Sequence, residues 1–128
     1  MAPVVTIYVC STCRAPGDEP DGLRAGTRLA AELRRKVRRG GIEGVAVVPV
    51  ECLSVCRRPV TVGLSAPGKW TYVYGDFPDG SADEILAAAA RYAAADEGLI
   101  PWRERPERLK RGVVARIPPS TALPEAAE

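Results

Sequence analysis

Apolar and polar positions alternate along this chain in ways that predict a definite order of elements. Residues 3–9, Pro-Val-Val-Thr-Ile-Tyr-Val, are β-branched and aromatic and lead straight into Cys10, which predicts a strand. Pro16, Gly17, Pro20 and Gly22 then mark 14–22 as a loop. Over 23–39 the positions Leu23, Gly26, Ala30, Leu33 and Val37 recur at spacings of 3, 4, 3 and 4. That period puts them on one buried stripe of a helix. Gly26 on this stripe lets the helix sit close to a sheet, and Gly40 and Gly41 end it behind a basic last turn. The short run 45–50, Val-Ala-Val-Val-Pro-Val, predicts a buried strand ending just before Cys52. Residues 60–65 and 70–74 flank Ala66-Pro67-Gly68-Lys69 and predict a β-hairpin. Ser81 with Glu84 has the form of a capping box opening a second helix, which runs to about residue 97 and stops at Gly98. Its apolar face is Ile85, Leu86, Ala89 and Tyr92.

The order is therefore β-α-β-β-β-α. A first crossover builds a parallel pair and the hairpin adds antiparallel strands, giving an α/β domain with a mixed four-stranded sheet over 1–97. This arrangement resembles the thioredoxin-like plan. Beyond Gly98, Pro and Arg alternate around Trp102, Leu109, Val113, Val114 and Ile117. We expect 98–128 to be an extended tail laid on the domain or on a partner, with its last residues loose.

Composition narrows the class without naming a function. The chain of 128 residues is 46% hydrophobic and 27% charged, as in ordinary globular domains, and its net charge of +2 selects no partner. No apolar run approaches the ~20 residues of a membrane span, and the N-terminus lacks the pattern of a secretory signal, so a cytoplasmic protein is expected. In a reducing compartment, cysteines in close pairs point to metal binding or redox chemistry more than to disulfides. No histidine is present, so any metal must be held by thiolates.

All four cysteines belong to such pairs: Cys10-x2-Cys13, then 38 residues, then Cys52-x3-Cys56. Each pair sits at the end of an expected strand. If those strands are parallel neighbours, all four thiols meet at the sheet edge where open α/β folds carry their sites. Tetrahedral zinc and a [2Fe–2S] cluster both accept four thiolates. Zinc knuckles usually lie closer together in sequence than these two pairs. A two-iron cluster suits pairs brought from separate loops, each serving one iron.

The run Cys52-Leu-Ser-Val-Cys56, then Arg57-Arg58-Pro59-Val60-Thr61-Val62, a hairpin and Asp83-Glu84-Ile85-Leu86 resembles the thioredoxin-like [2Fe–2S] ferredoxins over roughly residues 4–95. That family spaces its first two cysteines more widely than they are here. The chain is also similar, over nearly its full length, to a family of small predicted metal-binding proteins. The shared features are the C-x-T-C start, the C-L-x-x-C-x-R-P loop and a tail like Gly98…Pro101-Trp102-Arg103…Arg116-Ile117-Pro118. Members of that family often accompany cobalamin-biosynthesis genes. The resemblance implies a [2Fe–2S] electron carrier rather than an enzyme, ligated by Cys10, Cys13, Cys52 and Cys56, with a redox partner protein and a homodimer as expected associations. A four-cysteine zinc protein and a thiol-disulfide oxidoreductase using Cys10 and Cys13 stand as alternatives. Against the oxidoreductase, nine loop residues separate the C-x-x-C from the next helix, whose dipole would otherwise stabilise a thiolate.

Other features read first as structure. Arg14, Arg57 and Arg58 would favour a reduced, more negative cluster. Arg34, Arg35, Lys36, Arg38 and Arg39 complement a helix C-terminus and form a solvated face, with a docking patch for an acidic partner as the functional alternative. No aromatic residues interleave this patch, so nucleic-acid binding is not expected. Tyr72 and Tyr74 alternate on one hairpin face, as core or dimer residues do. Trp102 with Arg103 and Arg105 could clamp an anion, although tail packing is the simpler role. Asp76 and Asp79 are ordinary turn residues.

Overall fold

A computed structural model describes residues 5–55 and 57–119. The elements in chain order are β1 (Val5–Cys10), α1 (Ala25–Arg39), β2 (Val45–Val50), β3 (Val62–Ser65), β4 (Thr71–Tyr74), α2 (Ala82–Ala94), a 3-10 turn (Trp102–Glu104), α3 (Glu107–Arg111) and β5 (Val113–Ile117). The strands form one sheet in the order β2-β1-β3-β4-β5. β1 and β2 are parallel, as expected from the crossover, and every other pairing is antiparallel. α1 and α2 touch each other and both pack on β1, so they cover the same face. The core between them holds Val5, Ile7, Val9, Leu33, Val62, Leu64, Tyr72, Tyr74, Ile85 and Tyr92. No helix among the described residues is long and apolar enough to cross a membrane.

Among the described residues the sheet has five strands where four were expected. Residues 113–117 of the tail pair with β4, Arg116 opposite Tyr72 and Ile117 opposite Thr71. The Pro/Arg-rich sequence hides this strand, because Val113, Val114 and Ile117 are spaced too irregularly to read as a half-buried face. As the last strand of the sheet, β5 leaves Val114 and Ile117 exposed, and Trp102 is exposed as well. The tail is anchored instead by buried Ile100 and Leu109. Its Arg105 guanidinium lies over the rings of Tyr72 and Trp102.

Four local expectations are corrected. α1 starts at Ala25, and Leu23 is 68% exposed rather than on the stripe. Arg24 is extended, and the Leu23 carbonyl accepts a hydrogen bond from Arg28 Nη1 at 2.6 Å. The Ser81–Glu84 capping box does not form: Ser81 donates to the Pro78 carbonyl at 2.6 Å, and Glu84 pairs with Arg108 at 2.7 Å. β2 is an edge strand, half-exposed rather than buried, a position that tolerates its Pro49. α2 ends at Ala94, where the carbonyls of Tyr92 and Ala93 accept hydrogen bonds from Lys69 Nζ at 3.1 and 2.6 Å. A cation there complements the negative end of the helix dipole. Gly98 follows at φ +78, and a Cβ on it would come within 2.6 Å of the Tyr92 ring.

Candidate metal centre

β1 ends on Cys10, and β2 ends on Val50 two residues before Cys52. In the parallel register Cys10 stands opposite Val50, so the two cysteine loops leave the sheet at one edge. Hydrogen bonds then join the loops. Ser11 gives its amide at 2.8 Å and its hydroxyl at 3.0 Å to the Val50 carbonyl, and the Thr12 hydroxyl donates to the Glu51 carbonyl. The Cys10 amide donates to the Thr61 carbonyl at 3.1 Å, tying in the loop before β3.

The N-terminus of α1 holds the first cysteine loop from the other side. Gly26 N–H donates to the Cys13 carbonyl at 3.0 Å, Thr27 Oγ1 to the Ser11 carbonyl at 2.9 Å and Arg24 Nη1 to the Thr12 carbonyl at 3.1 Å. This approach requires glycine at 26, since a Cβ there would lie 1.8 Å from the Cys10 carbonyl oxygen. Gly26 thus seats the helix against the first cysteine loop itself, a closer contact than the sheet packing expected of it.

Cys10 and Cys13 are buried, and the Cys10 thiol faces the Glu51 carbonyl at 3.7 Å. Thr12 Oγ1 lies 3.6 Å from Cys10 Sγ, and Thr61 Oγ1 lies 3.6 Å from Cys13 Sγ. Burial opposes ionisation of Cys10, yet hydrogen bonds from Cys13, Thr12 and the Leu53 backbone outweigh it and bring the thiol down to about 7. Burial and the same Cys10 contact push Cys13 up. Cys52 is exposed on the adjoining loop, and its sulfur accepts the Ser54 amide at 3.1 Å. Ser54 adopts φ 61, a left-handed conformation uncommon for a residue other than glycine, and the tight turn aims its N–H at the sulfur. Cys56 lies outside the described residues. Among the described residues no three ligating side chains already surround one point: Cys10 and Cys13 stand together and Cys52 stands on the next loop.

The charges around this edge differ from expectation in one respect. Arg14 and Arg57 are exposed there, but Arg58 is committed elsewhere. Its Nε pairs with Asp76 at 2.7 Å and its Nη2 donates to the Arg111 carbonyl at 3.0 Å, so it ties the tail to the loop after β4. The basic run on α1 lies at the opposite end of the helix, about 22 Å away along 15 residues at about 1.5 Å each. There Arg34 donates to the Val47 carbonyl and Lys36 pairs with Asp83, which fits its structural reading. Tyr72 and Tyr74 are fully buried core residues with stacked rings.

The donor set suits a thiolate-bound metal group. Sulfur is the common element, the Ser54 amide donates to Cys52 Sγ, the Thr61 hydroxyl lies 3.6 Å from Cys13 Sγ, and two loops rather than one carry the cysteines. Thr61 and Ser54 were not among the site residues expected from sequence. Thr61 reaches Cys13 across 48 positions, a contact that no local pattern encodes.

A parallel β1–β2 pair, an antiparallel hairpin and helices on one face define a thioredoxin-like fold. Two solved structures of a thioredoxin-like [2Fe–2S] ferredoxin from Aquifex aeolicus share it. One matches with a TM-score of 0.59 at 20% identity, over 94% of this chain and 100% of the other. The second, of the wild type, matches with a TM-score of 0.55 at 18% identity, over 89% and 99%. In sequence, residues 7–119 match a family described as "Protein of unknown function (DUF1636)", and the chain belongs to that family. The chain is also 29% identical over 80 residues to the NADP-reducing hydrogenase subunit HndB of Solidesulfovibrio fructosivorans. That match spans 62% of this chain and 64% of the subunit, less than two thirds of the relative's length.

Proposed function

We propose that this protein is an iron–sulfur electron carrier that holds a [2Fe–2S] cluster through Cys10, Cys13, Cys52 and Cys56. The observation that carries the proposal is the parallel β1–β2 register, which sends the C-x2-C and C-x3-C loops out of the sheet at the same edge. The likeness in fold to a [2Fe–2S] ferredoxin and in sequence to a hydrogenase subunit supports it. Cys10 and Cys13 would hold one iron, and Cys52 with Cys56 the other. Bound there, such a cluster supplies a one-electron couple. The residues around it do the tuning. Donation to sulfur from the Ser54 amide and from the Thr61 hydroxyl favours the more negative, reduced state and raises the potential. The exposed cations Arg14 and Arg57 act in the same direction. Exposure of Cys52 leaves a partner protein an approach to the ligand shell. A role beside cobalamin biosynthesis belongs to the same proposal and is supported by the sequence resemblance alone. A cytoplasmic setting belongs to it as well and fits cysteine pairs kept reduced for metal binding.

A thiol-disulfide activity is disfavoured by where the first amides of α1 point. Ala25 N–H goes to Asp18 and Gly26 N–H to the Cys13 carbonyl, so neither faces a thiolate. Zinc is the alternative to be tested. Anaerobically purified protein is expected to be red-brown and to contain about two irons and two sulfides per chain. Cys10→Ser and Cys52→Ser should each lower that iron content. Colourless protein with one zinc per chain would overturn the carrier reading.

A further inference from the structure

Asp18 lies five residues beyond Cys13, in a loop whose composition alone marks it as a turn. Its side chain is only 8% exposed, an uncommon position for a carboxylate on a surface loop. Oδ2 accepts the amide of Ala15 at 2.9 Å and the amide of Ala25 at 2.9 Å, and Oδ1 takes Arg28 Nη2 at 3.0 Å. These bonds close a ring. From Cys13 the chain runs two residues to Ala15, crosses through the Asp18 carboxylate to Ala25, passes to Gly26, and returns by the Gly26 amide to the Cys13 carbonyl at 3.0 Å. Cys13 sits in that ring as its only sulfur-bearing member. The cation that balances the carboxylate, Arg28, also reaches Asp79 at 3.3 Å on the loop before α2.

We propose that Asp18 is the positioning residue of the cysteine centre: by joining the amides of Ala15 and Ala25 it fixes where the Cys13 sulfur stands relative to Cys10. The inference deepens the metal-centre reading and rests on it. The logic is that of a second shell, in which groups that never touch the metal orient those that do, and their loss typically costs 10–100-fold in metal affinity. The charged carboxylate suits the task because one oxygen accepts two amides while the other faces a guanidinium. An asparagine keeps one acceptor but turns a donor amide toward Arg28.

The test compares the metal-loaded wild type with Asp18→Ala, Asp18→Asn and Arg28→Ala, none of which alters a thiol. The readouts are the visible circular dichroism of the centre, its midpoint potential and the rate of iron loss to a chelator. Asp18→Ala is expected to change the dichroism, shift the potential and release iron about 10-fold faster or more. Asp18→Asn should fall between it and the wild type. Arg28→Ala, which removes the ion pair but leaves the ring of amides, should keep the wild-type dichroism. If Asp18→Ala does not fold, Asp18→Asn against Arg28→Ala carries the same comparison. Wild-type dichroism, potential and iron retention in the folded Asp18 variants would overturn the proposal, as would an Arg28→Ala spectrum changed as much as theirs. Should the wild type carry one zinc, the cluster reading fails separately. The Asp18 comparison is then made on the cobalt(II)-substituted protein, whose thiolate absorption must shift in Asp18→Ala for the assignment to stand.

Discussion

Asp18 caps α1 from seven residues before its first turn, in place of the residue that directly precedes the helix. Hydrogen bonding from the Ala15 backbone is the largest influence on its carboxyl. With the help of Arg28 and Ala25 it outweighs partial burial and holds the carboxyl below the usual carboxylate range. A carboxyl whose pKa is depressed on folding adds stability at pH above its unfolded value, about 4, and loses it as pH falls through the lower folded value. The gap in thermal midpoint between wild type and Asp18→Asn should therefore be constant above about pH 5 and close as pH falls below 4. A gap that persists undiminished into acid would show that the carboxylate charge contributes nothing. At this scale the cysteines were legible in the sequence, because four paired thiols without histidine leave few other uses. Asp18, Ser54 and Thr61 were not. Each is a common loop residue whose role comes from a partner made by the fold.

Among the elements, the α1 stripe shows what periodicity reveals and where it stops. Gly26, Ala30 and Leu33 are buried as their spacing predicts, while Leu23 lies outside the helix because Asp18 and Arg28 set the start at Ala25. Gly26→Ala should be among the most damaging small substitutions in the chain. Its methyl would meet backbone rather than a flexible side chain, and overpacking of this kind costs about 1–3 kcal/mol or more. Denaturant unfolding measures that loss, and the contact with the Cys10 carbonyl predicts a fall in iron content alongside it. Gly22→Ala serves as a control for loop substitution, since its φ is not positive and a Cβ there meets only Glu19 at 3.4 Å or more. Capping was harder to read than periodicity. Ser81 and Glu84 have the right spacing for a box, but the Pro78 carbonyl and Arg108 compete for them and win.

In the whole molecule the tail completes the fold. Ile100 and Leu109 are buried, β5 extends the sheet beyond β4, and Arg58 links the tail to the loop after the cysteines. Leu109→Ala should destabilise the protein by about 2–5 kcal/mol, as the loss of a fully buried leucine does, whereas Ile117→Ala at a 53% exposed position should stay within about 0.5 kcal/mol. Equal effects in denaturant unfolding would mean that the tail is not anchored through Leu109.

The sequence by itself determined the α/β order, the parallel first pair, the hairpin and the four thiols, because each depends on local periodicity or on the chemistry of a rare side chain. Tertiary structure alone decided that β2 lies at the edge, that the tail supplies a fifth strand, and that Asp18, Thr61 and the amides of α1 hold Cys13. Those outcomes depend on contacts between residues far apart in the chain, where several partners compete for one donor or one strand edge. Only the packed fold determines which of them meet.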